Sequence, residues 1–439
     1  MVMGRAGRRM RSSLAAAAAL CAVAALPGPA AAARSAGPED LPAYETAPGA
    51  QRVEGEESSA HGPAIEPGFY TDDIGPGERR YYSVTLDGES NVWISATALP
   101  EPGSRVKGMD GIEVALESAD GTDCGDGDVS FGSDDTARPI ADLAGRMIKE
   151  DGYCQEPGVY HFSVERDSHE TADAGRWPLE ISVMREPGLR NPASGGPSEA
   201  APDAATPSPP GAPEGEARPI EGGTGFNDAP GMGEGNWRDR LRPGETRFYK
   251  VPLDWGQRLH TQVEFGTAKA RGDSAPYVSG AFRVDFYNTA RGRIGTDGVG
   301  YRPDQPAAYR LDGQRVAFAN RFDGSTKLGG TRFAGWYYIA VHANGKLAES
   351  VDGTVPVVLR TTIAGEPEAG PEYDGNAEEA GFGVTEDDRE AAAEGLNRSA
   401  AESGETLRLL GWAGIGAGTA LILGLGLWTL LARRSAARA

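Results

Sequence analysis

The sequence predicts an all-β chain organised as two tandem antiparallel β-sandwiches of jelly-roll type. Three observations predict it. Short runs alternate apolar and polar residues at the two-residue period of a half-buried strand. Turn residues punctuate those runs, with 62 Gly and 31 Pro in 439 residues. The third observation is a diverged internal repeat.

The repeat opens at Ile74-Gly75-Pro76-Gly77-Glu78-Arg79-Arg80-Tyr81-Tyr82-Ser83-Val84-Thr85-Leu86-Asp87, which aligns with Leu241-Arg242-Pro243-Gly244-Glu245-Thr246-Arg247-Phe248-Tyr249-Lys250-Val251-Pro252-Leu253-Asp254. In each copy a Pro-Gly turn launches an alternating strand. Glu113–Gly121 then resembles Arg283–Gly292, and Gly158–Val164 resembles Gly335–Val341. Closing strands follow at Pro178–Val183 and Pro356–Thr361. Order and spacing agree, so each copy reads as one sandwich, over 62–187 and 226–365. Tyr82, Trp93, Tyr160 and Trp177 are the expected core of the first copy; Phe248, Phe286, Trp336 and Tyr338 are that of the second.

The ends of the chain predict export and anchoring. Residues 1–33 read as a signal peptide: Arg5, Arg8, Arg9 and Arg11, an apolar run from Leu14 to Leu26, and small residues at Ala30–Ala33. From Leu409 to Ala432 no residue is charged. As a helix that run is about 36 Å long, enough for a bilayer core. The reading is a transmembrane helix over 407–432, anchored by Trp412 and Trp428, with Arg433 and Arg434 opening a cytoplasmic tail over 433–439. It implies a single-pass protein of the cell membrane with its bulk extracellular. Gly414 and Gly418 form a G-x-x-x-G pair, which suggests a homodimer through the helix.

Between these parts lie a flexible N-terminal segment (34–61), a Pro/Gly-rich linker (188–225) and an acidic stalk (366–406) with a short helix near 386–401. The net charge is −21 and the pI about 4.8, a balance that repels phosphates and excludes nucleic acid as a partner. Beyond the leader the only thiols are Cys124 and Cys154. In an exported chain such a pair most simply forms one disulfide.

The Pro-Gly-Glu opening strand (Pro76-Gly77-Glu78, Pro243-Gly244-Glu245), the mid-domain Gly turn and the closing strands Gly158–Val164 and Gly335–Val341 resemble the bacterial pre-peptidase C-terminal β-sandwich. The whole layout also resembles actinobacterial exported membrane proteins. The first resemblance implies an accessory module of secreted proteases, yet no protease domain accompanies it here.

Chemistry-bearing motifs are sparse. Asp120, Asp123, Asp126 and Asp128 gather hard oxygen ligands beside Cys124, but their spacing is not that of an EF-hand. His169-Glu170-Thr171-Ala172-Asp173 lacks the second His of a zinc-binding helix. No cofactor and no catalytic constellation is expected. The functional expectation is a non-enzymatic surface scaffold for another envelope or exported protein. The alternative is recognition of a cell-wall polysaccharide or peptidoglycan, with Trp237, Trp255 and Tyr301 as stacking platforms.

Overall fold

The computed structural model describes residues 41–132, 136–149, 152–169, 172–191, 211, 213–272 and 276–397. All of them belong to one unit of the chain. The first copy contributes β1 (Gln51–Arg52), β2 (Gly68–Ile74), β3 (Arg79–Leu86), β4 (Asn91–Ala98), β5 (Gly111–Ser118), β6 (Asp123–Ser130), β7 (Ile140–Arg146), β8 (Gly158–Asp167) and β9 (Trp177–Glu186). The second contributes β10 (Arg218–Pro219), β11 (Gly235–Leu241), β12 (Thr246–Leu253), β13 (Arg258–Phe265), β14 (Val278–Tyr287), β15 (Arg293–Tyr301), β16 (Ala307–Asp312), β17 (Gly335–Ala343) and β18 (Val355–Ala364).

Both copies have the same topology. A five-stranded sheet, β1-β2-β9-β4-β7, faces a four-stranded sheet, β3-β8-β5-β6; the second copy repeats this as β10-β11-β18-β13-β16 over β12-β17-β14-β15. This order is that of a jelly roll, in which the chain crosses between sheets and wraps two Greek keys. Strand pairs are antiparallel apart from the short β1–β2 and β10–β11 pairs.

Local chemistry repeats as well. Gly77 and Gly244 turn into the opening strand with φ of 68° and 84°, a left-handed conformation that glycine adopts at least cost. Glu78 accepts from the Gly75 amide at 2.9 Å, and Glu245 from the Arg242 amide at 2.8 Å. Inside each sandwich a tyrosine donates to an aspartate ten residues earlier: Tyr82 to Asp72 and Tyr249 to Asp239, both at 2.7 Å. The same aspartates accept the amides of Gly55 and Gly222. Arg80 and Arg247 close the motif on the carbonyls of those two glycines.

The alternating strands fill two separate cores. Tyr82, Ile94, Phe162 and Trp177 lie in the first, and Trp237, Tyr249, Phe286 and Tyr337 in the second. Three side chains expected in these cores are elsewhere: Trp93, Phe248 and Tyr338 lie between the sandwiches. Trp336 is only partly buried, and its indole donates to Asp388.

Residues 366–397 run back along both sandwiches. The Leu189–Arg190 backbone pairs with Glu372–Tyr373, and Phe382 packs on Phe333 at 5.4 Å. The helix Glu386–Glu394 starts at a capping box between Thr385 and Asp388. It docks where Gly231 and Gly233 leave room, for a β-carbon on Gly231 would lie 2.9 Å from the Ala392 backbone.

The expected membrane helix is corrected here. Among the described residues no helix is long and apolar enough to cross a membrane. The longest, Glu386–Glu394, has nine residues and an acidic first turn, about 14 Å against a hydrocarbon core of about 30 Å. The single-pass topology, the cytoplasmic tail and the homodimer through such a helix are therefore withdrawn. Residues 407–432 with Trp412 and Trp428, the residues Arg433 and Arg434, and the signal peptide over 1–33 lie outside the described residues.

Candidate functional site

A buried polar network lies at the junction of the two copies. There the outer face of the first five-stranded sheet meets the outer face of the second four-stranded sheet. Ala141 of β7 clusters with Phe248 of β12, Tyr287 of β14, Ala340 of β17 and Phe226. The Phe226 ring lies 5.0–5.1 Å from those of Phe248, Tyr287 and Tyr338, edge to face, the geometry that aromatic quadrupoles favour. At the other end Trp93 of β4 meets Phe333 edge-on at 5.0 Å.

Two carboxylates of β9 are sealed in this junction. Glu180 is 0 % exposed. It accepts from the Tyr44 hydroxyl (3.1 Å), the Ala47 amide (2.6 Å), the Asn227 side chain (2.9 Å) and the Arg291 guanidinium. Arg291 also donates to Asn227 Oδ1 at 2.7 Å. Its guanidinium lies 5.0 Å from the rings of both Phe69 and Phe226. Burial, the largest influence, disfavours the Arg291 charge, but Glu180 together with Tyr44 and Tyr338 more than offsets it and raises the pKa. The Tyr44 phenol is pushed well above its usual range by burial and then by Glu180.

Glu186, six residues along the same strand, is 2 % exposed. It accepts from Asn91 (2.8 Å), the Trp93 indole (3.0 Å) and the Tyr373 hydroxyl (2.7 Å). The donors come from the first sandwich and from the C-terminal segment, so Glu186 ties that segment down. Burial, and after it Glu186, raises the Tyr373 phenol. A third crossing joins Arg138 to Asp285 at 3.6 Å, both buried. Asp142, also at the junction, is pushed up to about 7, chiefly by burial. It accepts the Leu143 amide at 2.9 Å and the Arg293 amide at 3.4 Å.

Glu180 accepts from four groups and Glu186 from three, and both fasten segments of the chain that are far apart in sequence. Among the described residues no group of three or more His, Cys, Asp or Glu is placed to hold a metal.

The residues singled out from the sequence are dispersed. Cys124 and Cys154 are joined by a disulfide, which ties the start of β6 to the loop before β8. In the neighbouring acidic turn, Asp120 caps the Ser118 hydroxyl and the Thr122 amide, and Asp123 the Gly125 amide. Asp126 and Asp128 stand exposed on β6. The His169 amide donates to Asp110, while His260 pairs with Asp312 and His342 with Thr246, so the histidines share no site. The proposed sugar platforms are corrected: Trp237, Trp255 and Tyr301 are 1 %, 8 % and 1 % exposed. Trp237 and Tyr301 turn their polar atoms to the carbonyls of Gly233 and Gly266. Sequence reasoning missed Glu180, Glu186, Asn227 and Arg291. A signal for the first two existed: β18 carries Val358 and Ala364 where β9 carries the carboxylates.

No protein-family model matches the chain, and no curated protein matches it. Among solved structures it is similar to the CUB1-EGF-CUB2 domain of human MASP-1/3, at 8 % identity and a TM-score of 0.16, over 66 % of this chain and 99 % of that one. The N-terminal CBM22-1–CBM22-2 tandem of Paenibacillus barcinonensis Xyn10C gives 11 % and 0.18, over 73 % and 100 %. Tripeptidyl peptidase 2 gives 11 % and 0.19, over 68 % and 24 %. Scores of this size carry no argument about ligand or activity. The chain is a protein of two β-sheet-rich domains that resemble tandem β-sandwich modules.

Proposed function

We propose that this chain is a non-enzymatic binding scaffold that holds two β-sandwiches in fixed relation and presents them to another exported protein. The observation that carries the reading is the junction. Glu180, sealed in the junction, is held by Arg291 and Asn227 of the second copy, and Glu186 ties the returning C-terminal segment to the first, so the polar chemistry there supports a fixed relation between the copies. The Cys124–Cys154 disulfide favours an oxidising compartment. The paired Pro-Gly-Glu openings support reading the copies as pre-peptidase C-terminal-like modules, whose accessory role suits a scaffold.

The test is cross-linking mass spectrometry on intact producing cells, with the tag in the first sandwich. One exported protein cross-linked to both sandwiches is the expected result. Retention on isolated cell wall without such a protein would move the reading to polysaccharide recognition. Turnover of a hydrolase substrate panel by the purified chain would overturn it.

A further inference from the structure

Within one chain, the five-stranded face of the first copy is covered by the four-stranded face of the second. The topology repeats, so two faces of the same kinds lie outside the junction: the four-stranded face of the first copy, and the five-stranded face of the second, where residues 213–217 lie along β11 and take hydrogen bonds from Asn236 and Arg238. A contact between unlike faces leaves such unmatched ends and can extend from molecule to molecule.

These two faces differ in charge. On the first copy's four-stranded sheet, Glu165 of β8 stands directly opposite Glu113 of β5, which stands opposite Asp128 of β6. One row lower Asp126 faces Ala115, and beyond it Glu117 faces Asp123. Like charges directly opposite one another destabilise a sheet, and in this row only Glu165 is neutralised, by Arg79. On the second copy's five-stranded sheet, the outward positions of β11, β18 and β16 carry Arg238, Arg240, Arg360 and Arg310. Three of these arginines are exposed, Arg360 is paired with Glu264, and one further carboxylate, Asp312, stands on the same face against His260, so arginine still predominates there.

We propose that these two faces bind each other in trans, so that a second copy of this chain docks its acidic four-stranded face on the arginine-bearing five-stranded face of the first. The contact repeats head to tail the arrangement that joins the sandwiches internally, with charge pairs in place of the aromatic cluster around Phe226. Exposed pairs contribute little singly, so the association is weak, concentration-dependent and graded by many contacts rather than one.

The test is sedimentation velocity on the full chain and two charge-neutralised variants, with folding checked by circular dichroism. In one variant Glu113→Gln and Asp128→Asn remove the acidic face; in the other Arg238→Gln and Arg310→Gln remove the basic face. The wild-type mass should rise with concentration, and each variant alone should lose that rise. Mixed together, the two variants keep one good face each. They should form a species of twice the variant mass and stop there. A wild-type chain with no concentration dependence overturns the proposal. So do variants that associate like wild type, or a mixture that forms no pair.

Discussion

Arg291 reaches Glu180 across the junction from a backbone with φ of 67°, a conformation that a non-glycine residue holds only when its surroundings require it. The residue closes the turn between β14 and β15, its amide donating to the Asn288 carbonyl. The side chain is then committed to the one carboxylate it can neutralise. Replacing Arg291 with Met leaves Glu180 buried without its cation and should cost about 3–5 kcal/mol. The double variant Glu180→Met/Arg291→Met should recover much of that loss. Urea unfolding of the four-member cycle measures both. A cost below about 1 kcal/mol for the single change would remove the pair from its proposed role.

Tyr373 fastens the returning C-terminal segment through Glu186. Tyr373→Phe removes one of three donors to a buried carboxylate, worth about 1–3 kcal/mol. Hydrogen exchange read by mass spectrometry should quicken over 371–397 and in β9 while β3 and β12 stay protected. Unchanged exchange in the segment would show that other contacts hold it.

Asp142 keeps its proton up to about pH 7 in the fold, against about 3.9 when unfolded. The folded state therefore binds more protons across that window. Stability falls as pH rises from about 4 to 7 and is level above it. The group is only partly buried, so the loss is about 1–2 kcal/mol rather than the full shift. Asp142→Asn should flatten this part of the curve, gaining most above pH 7. Thermal unfolding of both proteins between pH 4.5 and 8 tests it, and parallel curves would assign the pH dependence elsewhere.

The Cys124–Cys154 bridge spans 30 residues. Opening a loop of that size releases about 3–4 kcal/mol of chain entropy to the unfolded state. Cys124→Ser/Cys154→Ser should lower the unfolding midpoint of the first sandwich, and dithiothreitol should reproduce the effect in the wild-type chain. A reductant effect on the double variant would place its action outside this bridge.

The strands were legible because turn chemistry and alternation are local. Pro76-Gly77-Glu78 and Pro243-Gly244-Glu245 mark equivalent openings, and the copies share one topology. The junction was not legible, because alternation reports that one face of a strand is polar and not what covers it. Glu180 and Glu186 alternate with Leu179, Ile181 and Val183 as solvent-facing residues do, yet both are buried by the second copy or the returning segment. The same blindness sent Trp237 and Tyr301 to the surface and Trp93 and Phe248 to the sandwich cores. Residues 366–397, rich in Glu, Gly and Ala, lack a strand pattern. They are ordered by contacts with chain far away in sequence, such as Gly231 and Gly233.

The duplicated Tyr–Asp motif sets the folding chain a sorting problem. β2 must find β9 rather than β18, and β11 must find β18 rather than β9, although the two openings are near-copies. Inter-domain mispairing is the characteristic failure of such repeats, and domains generally close in order of synthesis. Here β9 is made before β11, so the first copy can close before its rival strand exists. A circular permutant that begins at the second copy would reverse that order and expose the choice as domain-swapped product.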